Sequence, residues 1–405
     1  MGVLLFVVMI TPAEAEAAIR ARAAALRTEI RPLHRLNQAI LHEPIVAARD
    51  QPPFDRVTMD GFAFDSKIAD QGRRQFAIAG TQAAGAAPLQ LTSPADCIEV
   101  MTGAMLPKGC DCVVPIEKTV RAESVVRLID EVRLEPLANI HARGSDVRTG
   151  ERLLEPGTRL GPAEIAVIAS NGQREARVSA EPRITVISTG DELVEPGHAI
   201  TEWQIFRSNA FAVLAALQRR GFSNLNQDHL PDDLPTLRRR LQAHLESSDV
   251  VILSGGVSMG RFDYVPQVLQ ELGIQTVFHK VAQRPGKPFW FGVGAGKTVY
   301  ALPGNPVSTL TCLVRYVFAG LDTARGAPVR RPEQIRIVQD FEVKPALALF
   351  VPAIVSFDDG ARVARLAPTR GSGDFVSLLG TDGFVELPPG PTCLTAGRLV
   401  PYYSW

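Results

Sequence analysis

Two short stretches carry residue types that suit phosphate chemistry. Ser188-Thr189-Gly190-Asp191-Glu192 and Ser254-Gly255-Gly256-Val257-Ser258 each end an apolar run with small hydroxyl and glycine residues. Glycines at the carboxyl end of a strand leave backbone N–H groups free for an anion, and a following helix adds its positive end. Asp191 and Glu192 add hard oxygen donors suited to a hydrated Mg²⁺ that bridges to phosphate. Each loop alone reads equally as an ordinary turn, with Asp191 as a cap. Together, on neighbouring parallel strands, they read as a ligand site.

Further along, Lys280, Arg284 and Lys287 place three cations within eight positions, around the rigid Pro285-Gly286-Lys287-Pro288 loop. They could hold a dense anion, although alone they read more simply as a solvated basic loop. Leu302-Pro303-Gly304-Asn305-Pro306 ends a strand and opens a helix, with N–H groups suited to an oxyanion; it reads equally as a plain connector. Gly292 to Thr298 imitates a phosphate-binding loop, but Phe291 stands where that motif requires glycine, and a strand follows. It reads as a hairpin turn. Thr58-Met59-Asp60-Gly61, Met101-Thr102-Gly103-Ala104 and Gly144-Ser145-Asp146 read as polar turns on physical grounds alone. His141, His198 and His229 share no spacing that marks a metal site or a triad.

The elements that must position these residues change character along the chain. Thr11-Pro12-Ala13-Glu14 has the form of a capping box, and the apolar stripe Ala15, Ile19, Leu26, Ile30 predicts a helix to about Arg31. From Pro44 to Gly190 short apolar runs broken by Gly and Pro predict a β-rich region, with one helix near Pro162 to Ser170. Strands at Ile184 to Ile187, Val250 to Leu253, Thr276 to Lys280, Phe289 to Gly292 and Val299 to Leu302 then alternate with helices. Those helices fall at Ser208 to Arg220, Leu234 to Leu245, Tyr264 to Leu272, and from Pro306. This is the grammar of a doubly wound, mostly parallel sheet. Beyond Pro328 short strands and turns predict a small β-barrel or sandwich. The expected parts are a composite N-terminal region over 1–180, a central α/β domain over 181–326 and a C-terminal β domain over 327–405.

A chain of 405 residues, 46% hydrophobic and 21% charged, buries large cores. Its 43 basic and 43 acidic residues cancel, which removes any general attraction to nucleic acid or anionic membrane. The five cysteines, Cys97, Cys110, Cys112, Cys312 and Cys393, show no zinc-type spacing and fit a reducing cytoplasm. The apolar start from Val3 to Ile10 is too short to span a bilayer. It also lacks the leading Lys or Arg of a secretory signal, so it reads as a buried strand or an additional leader.

In order along the chain, the series resembles the MoeA-type molybdopterin molybdenumtransferases, the family that includes the gephyrin E domain. The resemblance rests on Pro52 to Asp55 with Thr58 to Ala63, Met101 to Ala104 with Gly109 to Val114, and Asn139 to Asp146. It continues through Ser188 to Leu193, Leu253 to Tyr264, Arg284 to Pro288 and Leu302 to Pro306. It implies a four-domain homodimer with a molybdopterin-binding central domain. The active cleft would lie between that domain of one protomer and the N-terminal domains of the other. The implied substrates are adenylated molybdopterin and molybdate, with insertion of the metal at the dithiolene, release of AMP and a divalent ion such as Mg²⁺. The implied catalytic positions are Asp60, Thr102, Asp146, Glu192, Asp232, Asp263, Lys280 and Arg284, with Asp191 and Glu192 at the metal. Ser188, Thr189, Gly190, Ser254, Gly255, Gly256, Ser258, Lys287, Pro303, Gly304, Asn305 and Pro306 would bind the substrates. A transient contact with the upstream adenylyltransferase is expected, and no nucleic acid or membrane.

The chain departs from the family pattern in three places. Arg284 stands where Lys is common, Leu36 to Leu41 replace a Gly-Arg-containing segment, and Met1 to Val8 precede the usual start. Two rivals remain: a standalone adenylyltransferase, which needs only 181–326, and a gephyrin-like scaffold without turnover. Asp60, Asp146, Glu192 and Asp263 favour catalysis over scaffolding.

Overall fold

The computed structural model describes residues 9–257 and 264–405, the side chains of 69–71 excepted. The chain forms two compact units. The larger contains the segment ending at Glu43, Pro156–Pro162 and the chain from Glu175 to Trp405; the smaller contains Pro44–Glu155 and Ala163–Arg174.

The larger unit is organised by a six-stranded sheet in the order Leu225–Leu230, Ile184–Thr189, Val250–Ser254, Lys297–Leu302, Trp290–Gly294, Gln275–His279. The first four strands are parallel, and the last two run antiparallel to their neighbours. Ile184–Thr189 and Val250–Ser254 are buried along their whole length, which explains their continuous apolar character. Ile184 and Val186 pack with Ala210, Val213 and Leu217 of the helix Asn209–Arg219. Ile187 and Leu253 pack with Leu237 and Leu241 of the helix Leu234–Ser247. The two-residue period thus feeds both faces, as a doubly wound sheet requires. The strand Leu225–Leu230 escapes sequence reading because it is a polar edge, held through its parallel pairing with Ile184–Thr189.

The first helix spans Pro12–Arg22 and carries the expected capping box between Thr11 and Glu14. It ends well short of Arg31. Thr28–Pro32 is instead a strand paired antiparallel with Glu175–Ser179, so sheet pairing overrides the helical spacing of Leu26 and Ile30. Gly292–Thr298 belongs to a hairpin, with Ala295 and Gly296 both at positive φ (48° and 74°) between antiparallel strands. The helix from Pro306 runs to Cys312, passes through a π-helical turn at Leu313–Val317 and continues as Phe318–Ala324.

Near the C-terminus, Ala348–Asp358, Ala361–Leu366, Glu333–Ile337, Leu399–Ser404 and Gly383–Leu387 pair in sequence. The last pairs back to the first, closing a barrel around Val351, Ala364, Val385 and Val400. Gln283–Arg284 joins the barrel's edge in register with Ala348–Leu349 and so anchors the basic loop.

The smaller unit carries its own six-stranded sheet, ordered Cys112–Pro115, Gly61–Phe64, Asp96–Val100, Gln75–Gln82, Val125–Leu128, Thr119–Ala122. A Cβ on Gly61 would sit 2.0 Å from the Val114 carbonyl oxygen, so only glycine lets these strands close beside Asp60.

Candidate functional site

At the carboxyl ends of the parallel strands lies a cleft of about 520 Å³. It is lined by Ser188, Thr189, Gly190, Glu192, Asp232, Ser254, Gly255, Gly256, Pro303, Gly304, Asn305 and Pro306. The glycines here are steric necessities. Gly255 and Gly256 sit at φ +104° and +67°, and a Cβ on Gly255 would lie 2.7 Å from the Thr189 carbonyl oxygen. Asn209 ties the loops together: its Nδ2 donates to Ser254 Oγ (2.9 Å), the Gly304 carbonyl (2.6 Å) and Thr309 Oγ1 (3.2 Å). Sequence reading missed Asn209, whose neighbours lie 45 and more residues away.

Among the described residues, Ser188 Oγ, Thr189 Oγ1, Asn209 Oδ1 and Arg207 Nε are buried without a hydrogen-bond partner. All four residues line this cleft. Buried polar atoms are seldom left unpaired, so their convergence marks a place prepared for a polar ligand.

Asp191 and Glu192 are exposed, and Asp191 Oδ1 accepts the Asp232 backbone N–H at 3.1 Å. No group of three or more His, Cys, Asp or Glu side chains among the described residues could hold a metal. One or two carboxylates beside a phosphate are nonetheless what Mg²⁺ usually takes, with water completing its octahedron. The donor set fits such an ion.

A second cleft of about 550 Å³ adjoins the first, and Pro288, Pro303 and Asn305 line both. Its cations are Arg284 and Lys287 from the basic loop and Lys344 and Arg370 from the C-terminal barrel region. The last two were invisible in sequence, because only the barrel's return brings them here. Asn305 Nδ2 donates to Ser372 Oγ at 2.7 Å, fixing the turn that divides the clefts. Gly286 is again obligatory, since its Cβ would meet Gln283 Nε2 at 2.5 Å and Cys312 Sγ at 2.7 Å. Lys280 is half-buried and is not among the residues lining either cleft. Ser258 and Asp263 lie outside the described residues.

The smaller unit holds the remaining expected positions as two pairs. Asp60 Oδ1 accepts the Thr102 backbone N–H (2.6 Å) and hydroxyl (2.7 Å), which hold its carboxyl below the usual range. Asp146 Oδ1 lies 2.7 Å from His141 Nε2, and His141 Nδ1 lies 3.0 Å from Arg56 Nη2. His141, given no role from its spacing, is thus the partner of Asp146. All five cysteines are unpaired, and burial pushes the Cys97, Cys110 and Cys112 thiols up to about 12, so none of these three is a ready thiolate.

Residues 10–172 match the MoeA N-terminal region (domain I and II), 185–322 a probable molybdopterin binding domain, and 335–405 the MoeA C-terminal region (domain IV). A molybdopterin molybdenumtransferase of Synechocystis is 42% identical over 369 residues, 90% of this chain and 92% of the relative. One of Staphylococcus epidermidis is 29% identical over 89% of this chain and 87% of its own. Two structures of a molybdopterin biosynthesis MoeA protein from Pyrococcus horikoshii superpose on 98% of this chain, at TM-scores of 0.80 and 0.81. They are 28% and 25% identical to it, and 99% and 100% of their lengths are covered. The cleft at the strand ends therefore belongs to a protein of known kind: the chain is a member of the molybdopterin molybdenumtransferase family, transferases of molybdenum cofactor biosynthesis.

Proposed function

We propose that the chain inserts molybdenum from molybdate into adenylated molybdopterin and releases AMP. The observation that carries this reading is the pair of adjoining clefts. One offers glycine loops and unpaired buried polar atoms to a nucleotide-linked phosphate; the other offers Arg284, Lys287 and Arg370 to a small oxyanion, with Lys344 beside them paired to Glu342 at 3.5 Å. Their shared wall of Pro288, Pro303 and Asn305 would hold both substrates side by side, and fixed proximity of reactants is worth several orders of magnitude in rate.

In this reading Ser188, Thr189, Gly190, Ser254, Gly255, Gly256 and Ser258 hold the nucleotide and its phosphates, with Gly304 and Pro306. Arg284 and Lys287 hold molybdate, with Lys280 on the same basic segment. Asp191 and Glu192 would hold Mg²⁺, whose charge offsets that of the phosphoanhydride. Asp232 places Asp191 through its backbone N–H, and Asp263 completes the acidic set. Asp60, Thr102 and Asp146 serve the cleft of a partner protomer, which makes the enzyme a homodimer. The functional parts are 1–180, 181–326 and 327–405. The unpaired cysteines suit a cytoplasmic protein, and substrate arrives by brief contact with the upstream adenylyltransferase. No helix among the described residues is long and apolar enough to cross a membrane.

The test is turnover of purified protein with adenylated molybdopterin, molybdate and Mg²⁺. AMP should appear in step with molybdenum incorporation and should depend on both ions. AMP release that ignores molybdate, or adenylation of the pterin by ATP instead, would overturn the reading.

A further inference from the structure

Arg207 was not singled out by any motif. It follows the short strand Ile205–Phe206 and precedes the helix Asn209–Arg219, its backbone N–H bonded to the Val194 carbonyl at 2.9 Å. Only 6% of the residue is exposed, yet it lines the cleft at the strand ends. Its guanidinium pairs through Nη2 with Glu195 and lies 5.6 Å from the Phe211 ring centroid. Among the described residues, its Nε has no partner.

A buried guanidinium is normally satisfied along its planar fork, and the edge formed by Nε and Nη2 is the one that takes two oxygens of a carboxylate or phosphate. Here a single carboxylate reaches one end of that edge. Glu195 is 43% exposed, so it can swing into water at little cost. The surroundings favour an anion. His229 is held below its ordinary value of 6.5, by burial first and by the Arg207 charge second. The hydroxyls of Ser188 and Thr189, unpaired in the same cleft, can donate to phosphate oxygens. Glu192 and Asp232 on the opposite count belong to the cation side of the proposed site.

We infer that Arg207 is a substrate-binding residue that grips a phosphate of the nucleotide-linked substrate. Glu195 is its internal competitor, occupying part of the guanidinium edge until that phosphate arrives. The inference rests on the nucleotide role proposed above for this cleft, and it assigns the phosphate's cationic partner.

Isothermal titration of the full chain with AMP, and with adenosine as the uncharged control, tests it. Arg207→Gln should weaken AMP on the order of tenfold to a hundredfold while leaving adenosine unchanged. Arg207→Lys, which keeps charge but loses the fork, should fall between. Glu195→Gln should tighten AMP severalfold, an effect that a merely structural ion pair would not produce. Unchanged AMP affinity in Arg207→Lys and Arg207→Gln, or Glu195→Gln weakening AMP as Arg207→Gln does, would overturn the role of Arg207 alone. Wild-type protein that binds neither AMP nor adenosine would overturn the nucleotide reading of the cleft, and this inference with it.

Discussion

Glu192 lines the cleft beside Gly190 and next to Asp191. Glu192→Gln keeps its shape and removes the charge that in the proposed role holds Mg²⁺, so AMP release should slow at least tenfold while the thermal midpoint holds. Restoring the rate with excess Mg²⁺ would support the role; wild-type turnover with unchanged Mg²⁺ dependence would remove it. On the oxyanion side, Lys287→Ala should raise the molybdate concentration for half-maximal activity about tenfold, since a charge-assisted interaction is worth about 1.5–3 kcal/mol. A flat molybdate response in that variant would make the basic loop structural. Asp191, Glu192 and Lys287 were open to sequence reading because local sequence places them on turns, and Arg284, which lies in a short strand, because it belongs to the same run of cations. Lys344, Arg370, Asn209 and Arg207 were not, because each reaches its cleft through tertiary folding and sits in no recognisable spacing.

Elements were legible where one face or both faces of the sheet are apolar, and illegible where pairing or burial substitutes for pattern. The buried strands Ile184–Thr189 and Val250–Ser254 announced themselves; the polar edge Leu225–Leu230 and the π-helical turn Leu313–Val317 did not. That turn carries Arg315, 6% exposed, paired with Glu16 of the first helix and with Glu386 of the barrel (2.8 Å from Nε). One buried cation thus fastens three distant elements. Arg315→Ala leaves the partly buried Glu386 with only the Tyr403 hydroxyl (3.1 Å) and Glu16 with only Arg20 (2.7 Å), and should cost about 3 kcal/mol in urea unfolding. A loss under about 1 kcal/mol would show that these remaining partners and water satisfy both carboxylates. In the smaller unit, Asp50 performs the corresponding task for the loop bearing Asp146. It accepts from Thr149 N–H (2.9 Å) and hydroxyl (2.8 Å) and from Arg143 Nε (2.7 Å). Those bonds, the Thr149 N–H foremost, lower its carboxyl from 3.8 to about 2. A depressed carboxylate stabilises the fold above its unfolded value and loses that contribution as pH falls through its folded value. The stability gap between wild type and Asp50→Asn should therefore be constant near neutrality, shrink below about pH 4 and close toward pH 2. A gap independent of pH between 5 and 2.5 would assign the loop's order to something other than this carboxylate.

At the scale of the molecule, the expected catalytic set divides between the two compact units. Glu192, Asp232, Arg284 and Lys287 line clefts of the larger unit, while Asp60, Thr102 and Asp146 stand in the smaller. Among the described residues, both clefts are lined from the larger unit alone. If the reaction needs both sets, the proposed two-fold dimer would bring Asp60 of one protomer to the cleft of the other. Asp60→Ala and Glu192→Gln, each inactive alone, should then complement one another when co-expressed. In a mixed dimer one cleft would receive both intact residues and the other neither. Random pairing makes about half the dimers mixed, so up to about a quarter of the clefts should recover activity. Differential tags on the two variants allow the mixed dimers to be purified, and in that fraction recovery should approach about half of wild type. If purified mixed dimers are no more active than either parent, Asp60 does not serve a cleft in trans. The two carboxylates would then have to act within one protomer, and a chain carrying both substitutions, paired with wild type, would keep about half of wild-type activity, whereas an arrangement in trans would leave that same pair inactive because each of its clefts lacks one residue.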